Sequence, residues 1–168
     1  AATTMDDVAE RAGLSRRTAF RYFTSKDELV FPRRDERLAM LGELLVPREG
    51  ESAFETVRRA CLGLARDYQD ERTRMLAQWR IVRDEPALLG RELMLDQASE
   101  AALEQAFLAG ERDTPRARRR ARVRASAVVG AVRATLREWL EGGASVDLVR
   151  LGRETFAELE RGFGGEGE

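Results

Sequence analysis

Apolar residues recur along this chain at intervals of three and four, and no stretch alternates as a strand would. The pattern predicts an all-α fold of helices joined by short connections. "TMDDVAERAG" reads as a short helix in which Thr4 caps and Asp7 completes an Asp version of the capping box, with Gly13 as the stop. "SRRTAFRYF" is a second short helix with Ser15 as its cap. A third starts behind Ser25, with Glu28 completing a box, and Pro32 should kink it or split off its first turn. Beyond "VPREG" the helices lengthen. Phe54, Val57, Cys61, Leu64 and Tyr68 form one face of a helix over 52–68. Others are expected over about 72–84, 87–109 and 115–140, the last capped by Thr114 with Pro115 at its first position. A final helix should start at Ser145 and end near Gly162. This divides the chain into an N-terminal unit over 1–47, a helical body over 48–163 and a fraying tail over 164–168.

The second short helix has two unlike sides. With Arg16 at zero and 100° per residue, Ala19 and Phe23 fall at roughly 300° and 340°, a narrow apolar face. Val8, Ala9, Ala12 and Leu14 can cover it. Arg17, Thr18 and Arg21 lie opposite, with Phe20 and Tyr22 on the flanks. Two short helices joined by a Gly-containing turn form a helix-turn-helix, whose second helix enters the major groove. Arginine suits that face because its planar fork bonds guanine O6 and N7 together, while hydroxyls and ammonium groups hold phosphates. From Arg11 to Lys26 there are five cations and no acid. An acid there would face phosphates at close range. The competing reading is an ordinary amphipathic helix with arginines in water.

Composition narrows the classes. The 168 residues carry a net charge of −1, so affinity for nucleic acid must come from local clustering. There is no histidine, which removes the usual metal ligand and general base. Cys61 is the single cysteine, so no internal disulfide forms, and a reducing cytoplasm is expected. No metal or cofactor is called for. Lys26 is the only lysine among 29 basic residues, which marks it out.

"TTMDDVAERAGLSRRTAFRYFTSKDELV" strongly resembles the DNA-binding segment of the tetracycline-repressor (TetR) family of transcriptional regulators. The resemblance implies DNA contacts at Thr3, Thr4, Ser15, Arg16, Arg17, Thr18, Phe20, Arg21, Tyr22 and Lys26. Thr3, Thr4, Tyr22 and Lys26 match phosphate positions, and Arg16 to Arg21 the recognition helix. Phe20 departs from the family's usual Tyr, and a phenyl ring cannot donate to phosphate. The family also has a helix before this segment, so a preceding stretch of chain is expected.

The resemblance makes the body a ligand-binding and dimerisation domain. The residues add their own hints. Ala127, Gly130, Ala131 and Ala134 would let two helices approach closely, and Val149, Phe156, Leu159 and Phe163 lie near one stripe. Two such helices from each of two chains would make a four-helix homodimer interface. Equally, both can pack on their own domain. Tyr68, Met75, Trp79, Val82, Leu89, Leu93, Met94 and Phe107 are candidates to line an effector pocket or to be plain core. Six arginines between Arg116 and Arg124 read as a solvated arm or as an anion site. A faint resemblance of this half to regulators answering acyl-type effectors implies an acyl- or CoA-type ligand.

Three functions compete. The first is a ligand-responsive repressor that binds a near-palindromic operator as a homodimer. The second is an enzyme. It would have only carboxylates to work with, such as Asp84 and Glu85, which read better as a helix end. The third is a helical interaction module with no sequence-specific DNA binding.

Overall fold

The computed structural model describes residues 4–23, 31, 33–83 and 86–162, with side chains left aside over 86–96. Every regular element among them is a helix: α1 (Met5–Arg11), α2 (Arg16–Tyr22), α3 (Arg34–Leu44), α4 (Ala53–Asp70), α5 (Arg72–Val82), α6 (Pro86–Leu108), α7 (Pro115–Glu141) and α8 (Leu148–Arg161).

The caps account for most boundaries. Thr4 Oγ1 accepts from the Asp7 amide, and the Asp7 carboxylate accepts in return from the Thr4 amide at 2.7 Å. Ser15 accepts from the Thr18 amide, Ser52 forms a full capping box with Glu55, and Thr114 accepts from the Ala117 amide ahead of Pro115. The start of α8 differs from expectation. Gly143 and Ala144 both adopt positive φ, 69° and 53°, so the chain is still reversing direction there. Ser145 donates back to the Gly142 carbonyl. Asp147 is the cap, accepting from the Arg150 amide, while Gln69 of α4 accepts from the Leu148 amide at 2.7 Å. The expected caps Ser25 and Glu28, and Pro32, lie outside the described residues.

The body is built on α4, α6, α7 and α8. Ala117, Ala121, Ala125 and Val128 form a buried stripe of mostly methyl groups along α7. It lets α7 pack closely on α6, where Leu103 and Phe107 are also buried. Val57 and Ala60 of α4, Leu41 of α3 and Phe156 of α8 complete this core, and Phe54 meets Phe156 edge-on at 5.9 Å between ring centroids. A second cluster gathers Met75, Trp139, Leu140, Ala144 and Leu148, with the Trp139 indole N–H donating to the Val146 carbonyl at 2.9 Å.

Phe156 and Val149 therefore lie inside the subunit and not on an outward stripe, because α8 turns its apolar side onto α4 and α7. Leu159 is half-buried against the same core, and Phe163 lies outside the described residues. On α7, Ala127 and Ala134 stay exposed with Gly130 and Ala131 half-buried between them.

Arg59 joins α3 to α4. Its guanidinium donates to the Leu44 carbonyl at 2.8 Å and the Val46 carbonyl at 2.9 Å, where the end of α3 has spare acceptors. Glu51 holds it by Oε1 at 2.7 Å and Oε2 at 2.8 Å. The Arg59 hydrogen bond draws the Glu51 carboxyl down to about 2.

Candidate functional site

Two short helices cannot bury much by themselves, and α1 and α2 meet through small residues. Ala9 and Ala19 are both buried at their contact. The turn between them depends on one residue, Gly13, at φ 65°. Its amide donates to the Glu10 carbonyl and the Leu14 amide to the Ala9 carbonyl at 2.9 Å. This paired arrangement closes α1 with a left-handed residue, a position that suits glycine.

With Ala19 facing α1, the rest of α2 is placed. Arg17 and Arg21 are exposed. Arg17 has no ion-pair partner among the described residues, whereas Arg21 lies along the Tyr22 ring and donates to its hydroxyl at 3.1 Å. Tyr22 is 64% exposed and Phe20 41%. Arg16 sits on the α1 side of the helix, near the Ala19 direction. There it meets Asp6 at 3.3 Å and the Phe20 ring at 5.4 Å. The acid-free stretch thus has one acid beside it, supplied by the neighbouring helix. Thr18 is half-buried, 2.8 Å from the Ser15 hydroxyl. The Thr4 hydroxyl donates to Asp7 at 2.7 Å, so its proton serves the cap, and the hydrogen bonds from the Thr4 backbone and side chain lower the Asp7 pKa. Thr3 and Lys26 lie outside the described residues.

A second site lies in the body. A partly open cavity of about 150 Å³ is bordered by α3, α4, α6, α7 and α8 with Trp79 of α5. Of the predicted pocket residues, Tyr68 and Trp79 line it. Met75 lines an adjoining recess next to α3, with Arg34, Arg37 and Leu38. Val82 and Phe107 are buried core and do not line the cavity, since helical spacing alone does not tell a packed wall from an open one. The side chains of Leu89, Leu93 and Met94 are not among those described. Cys61, Leu41, Val128, Leu136 and Phe156 are walls as well. Burial pushes the Cys61 thiol up to about 12, so it presents a neutral group. The Thr135 and Thr155 hydroxyls meet at 2.6 Å and also face the carbonyls of Ala131 and Leu151, one turn back.

At the start of α3 lies a charged cluster that spacing could not have suggested. Arg33 approaches Asp67 at 3.0 Å and Glu71 at 2.7 Å, and Arg37 reaches the same acids at 2.8 and 3.1 Å. Burial pushes the Asp67 pKa up, but the Arg37 hydrogen bond and the charges of Arg37 and Arg33 outweigh it and lower it overall. The Arg37 guanidinium also lies 4.3 Å from the centre of the Tyr68 ring, a cavity wall. Among the arginines opening α7, Arg118 pairs with Asp113, Arg120 with Glu111 and Arg122 with Glu104. Arg124 lies 5.9 Å from the centre of the Phe107 ring. Half of the six are thus neutralised locally, which favours the solvated arm over an anion site.

Among the described residues no group of three or more acidic, Cys or His side chains could hold a metal ion. No helix there is long and apolar enough to cross a membrane. A family model for bacterial regulatory proteins of the tetR family matches residues 1–31. A second, for the MftR C-terminal domain, matches residues 51–164, most of the chain. No curated protein matches it.

Proposed function

The chain belongs to the tetR family of bacterial regulatory proteins, a DNA-binding transcriptional regulator, and from that premise we propose that it is a ligand-released repressor acting as a homodimer. The observation that carries this reading is the outward face of α2. Arg17 and Arg21 are exposed opposite the buried Ala19, where a duplex could meet them. Arg17 and Arg21 read base edges, and Tyr22, Ser15 and the family-matched Thr3 and Lys26 hold phosphates. Arg16 steadies α2 on α1 through Asp6.

The homodimer pairs α7 across the small-residue face from Ala127 to Ala134, with α8 alongside. It sets two α2 helices about 34 Å apart over a near-palindromic operator. The effector is an apolar, acyl-type molecule that enters the cavity. Leu41 brings α3 directly into the cavity wall, and Tyr68 reaches Arg37 of the same helix. A ligand preferring one setting of α3 therefore biases the spacing of the DNA-binding units through its differential affinity for the two states.

A mobility shift on the DNA upstream of the gene, run across a salt series, tests the reading. Specific binding should weaken steeply with salt. The Arg17→Ala, Arg21→Ala double variant should lose sequence preference, each lost contact costing about 1–3 kcal/mol of discrimination. Sequence preference surviving in that variant would falsify the assignment of α2 and favour a helical interaction module.

A further inference from the structure

The cavity lining is mostly apolar, and apart from Arg137 most of its polar groups are already occupied. The Thr135 and Thr155 hydroxyls spend their two protons among each other and the Ala131 and Leu151 carbonyls, Arg133 is engaged, and the Cys61 thiol is neutral. A ligand lying wholly inside would have little to orient it. The wall formed by Trp79, Arg137 and Leu140 is shared with an open groove of about 590 Å³ between α5 and α7. That groove also carries Arg80 and Arg83, against a single acid, Glu141. Arg83 is already engaged. Arg80 and Arg137 are exposed and have no hydrogen-bond or ion-pair partner among the described residues. Many other arginines are matched with acids, as Arg33, Arg37, Arg59, Arg118 and Arg120 are, while Arg116 and Arg119 are exposed with no such partner among the described residues. What sets Arg80 and Arg137 apart is their place on a groove that shares a wall with an apolar chamber.

We propose that the effector is a small amphipathic anion, with a compact apolar body in the chamber and its anionic group held by Arg80 and Arg137 at the mouth. This rests on the reading of the cavity as the effector site and gives that ligand a polarity. A chamber of about 150 Å³ suits a body of roughly one ring or a six- to eight-carbon chain, since an engineered cavity of about that size takes benzene. Arginine forks bind carboxylate and phosphate oxygens alike, so the anionic end is either an acid's own carboxylate or the phosphates of a thioester carrier.

The test uses the full chain without DNA and three probes: octanoate, 1-octanol and octanoyl-CoA. Binding is read from tryptophan fluorescence, to which Trp79 in the shared wall should respond, and from the rise in Tm. Octanoate should bind about tenfold tighter than 1-octanol at low salt, and the gap should narrow as salt rises. The Arg80→Gln, Arg137→Gln double variant should bring octanoate down to the octanol value. Ala65→Leu, which narrows the chamber, should weaken both. Octanoyl-CoA binding tighter than octanoate identifies phosphate as the anion, and the reverse order identifies carboxylate. Equal affinity for octanoate and octanol, an octanoate advantage that survives in the double variant, or no binding of any probe each overturns the proposal. A parallel mobility shift adds the same probes to the operator complex: arginine-dependent binding of octanoate that leaves that complex intact would overturn the effector role and keep the ligand class. Release of DNA by octanol as readily as by octanoate would do the opposite.

Discussion

Arg16, Arg17 and Arg21 are alike in the sequence and unlike in place. A helical wheel already put Arg16 beside Ala19 and the other two opposite, and the Asp6–Arg16 pair follows from that angle. What the wheel could not supply was Asp6 itself, because the contact crosses a turn. The same limit separates Tyr68 and Trp79, which line the cavity, from Val82 and Phe107, which fill the core. Arg59 was equally hidden, since a guanidinium serving two carbonyls and one carboxylate leaves no periodic trace. Its partner gives a pH prediction. The Glu51 carboxyl lies at about 2 in the folded chain against an ordinary 4.5, chiefly through the Arg59 hydrogen bond. A lowered carboxylate pKa stabilises the fold above the unfolded value, and that stabilisation is lost as pH falls toward the folded one. Glu51→Gln should therefore lower Tm at neutral pH. The difference from the parent should shrink as pH is taken from about 4.5 toward 2, measured by thermal melts in matched buffers. A constant difference across that range would show that the pair adds no charge-dependent stability.

Helices announce their ends more clearly than their partners. Thr4, Ser15 and Thr114 were legible as caps because each meets the amide three residues on, a contact within reach of local sequence. The start of α8 was not. Its first amide is met by Gln69, 79 positions away, and two left-handed residues delay the helix past Ser145. The α1–α2 turn was the legible exception among connections, because Gly13 marks a position that other residues occupy at a cost. Gly13→Ala should destabilise that turn by about 1–2 kcal/mol through the left-handed backbone alone. Nothing lies within 4 Å of the added methyl, so packing is not the cause. Amide exchange should quicken in α1 and α2 while α4 and α7 keep their protection. DNA affinity should fall with it, for operator and unrelated DNA together. Faster exchange throughout the body would mean that the two regions unfold as one.

At the scale of the molecule, the all-α fold was readable from periodicity, and the tie between α3 and the cavity wall was not. The cluster of Arg33, Arg37, Asp67 and Glu71 brings together residues thirty or more positions apart and sets α3 against the cavity wall at Tyr68. Arg37→Met should keep the apolar stem while removing the stack on Tyr68, and Arg33 stays within reach of both acids. Effector affinity should then hold while the effector loses its power to release DNA. That split is measured by titrating ligand with and without operator, because coupling is the ratio of the two affinities. The proposed homodimer makes the other demand on the whole molecule. Phe156 and Val149 are committed to the subunit core, so α8 can offer only its exposed side and the proposed pairing rests mainly on what α7 leaves outside. Ala127 and Ala134 lie about two turns apart on that surface, with Gly130 and Ala131 between them. An arginine at each would hold two copies apart through bulk and like charge without entering the subunit core. The Ala127→Arg, Ala134→Arg variant should sediment as a monomer with unchanged Tm at low concentration. It should bind a half-site as the parent's single unit does and lose the gain in affinity from a second half-site. A variant that still sediments as a dimer would move the interface off this face of α7.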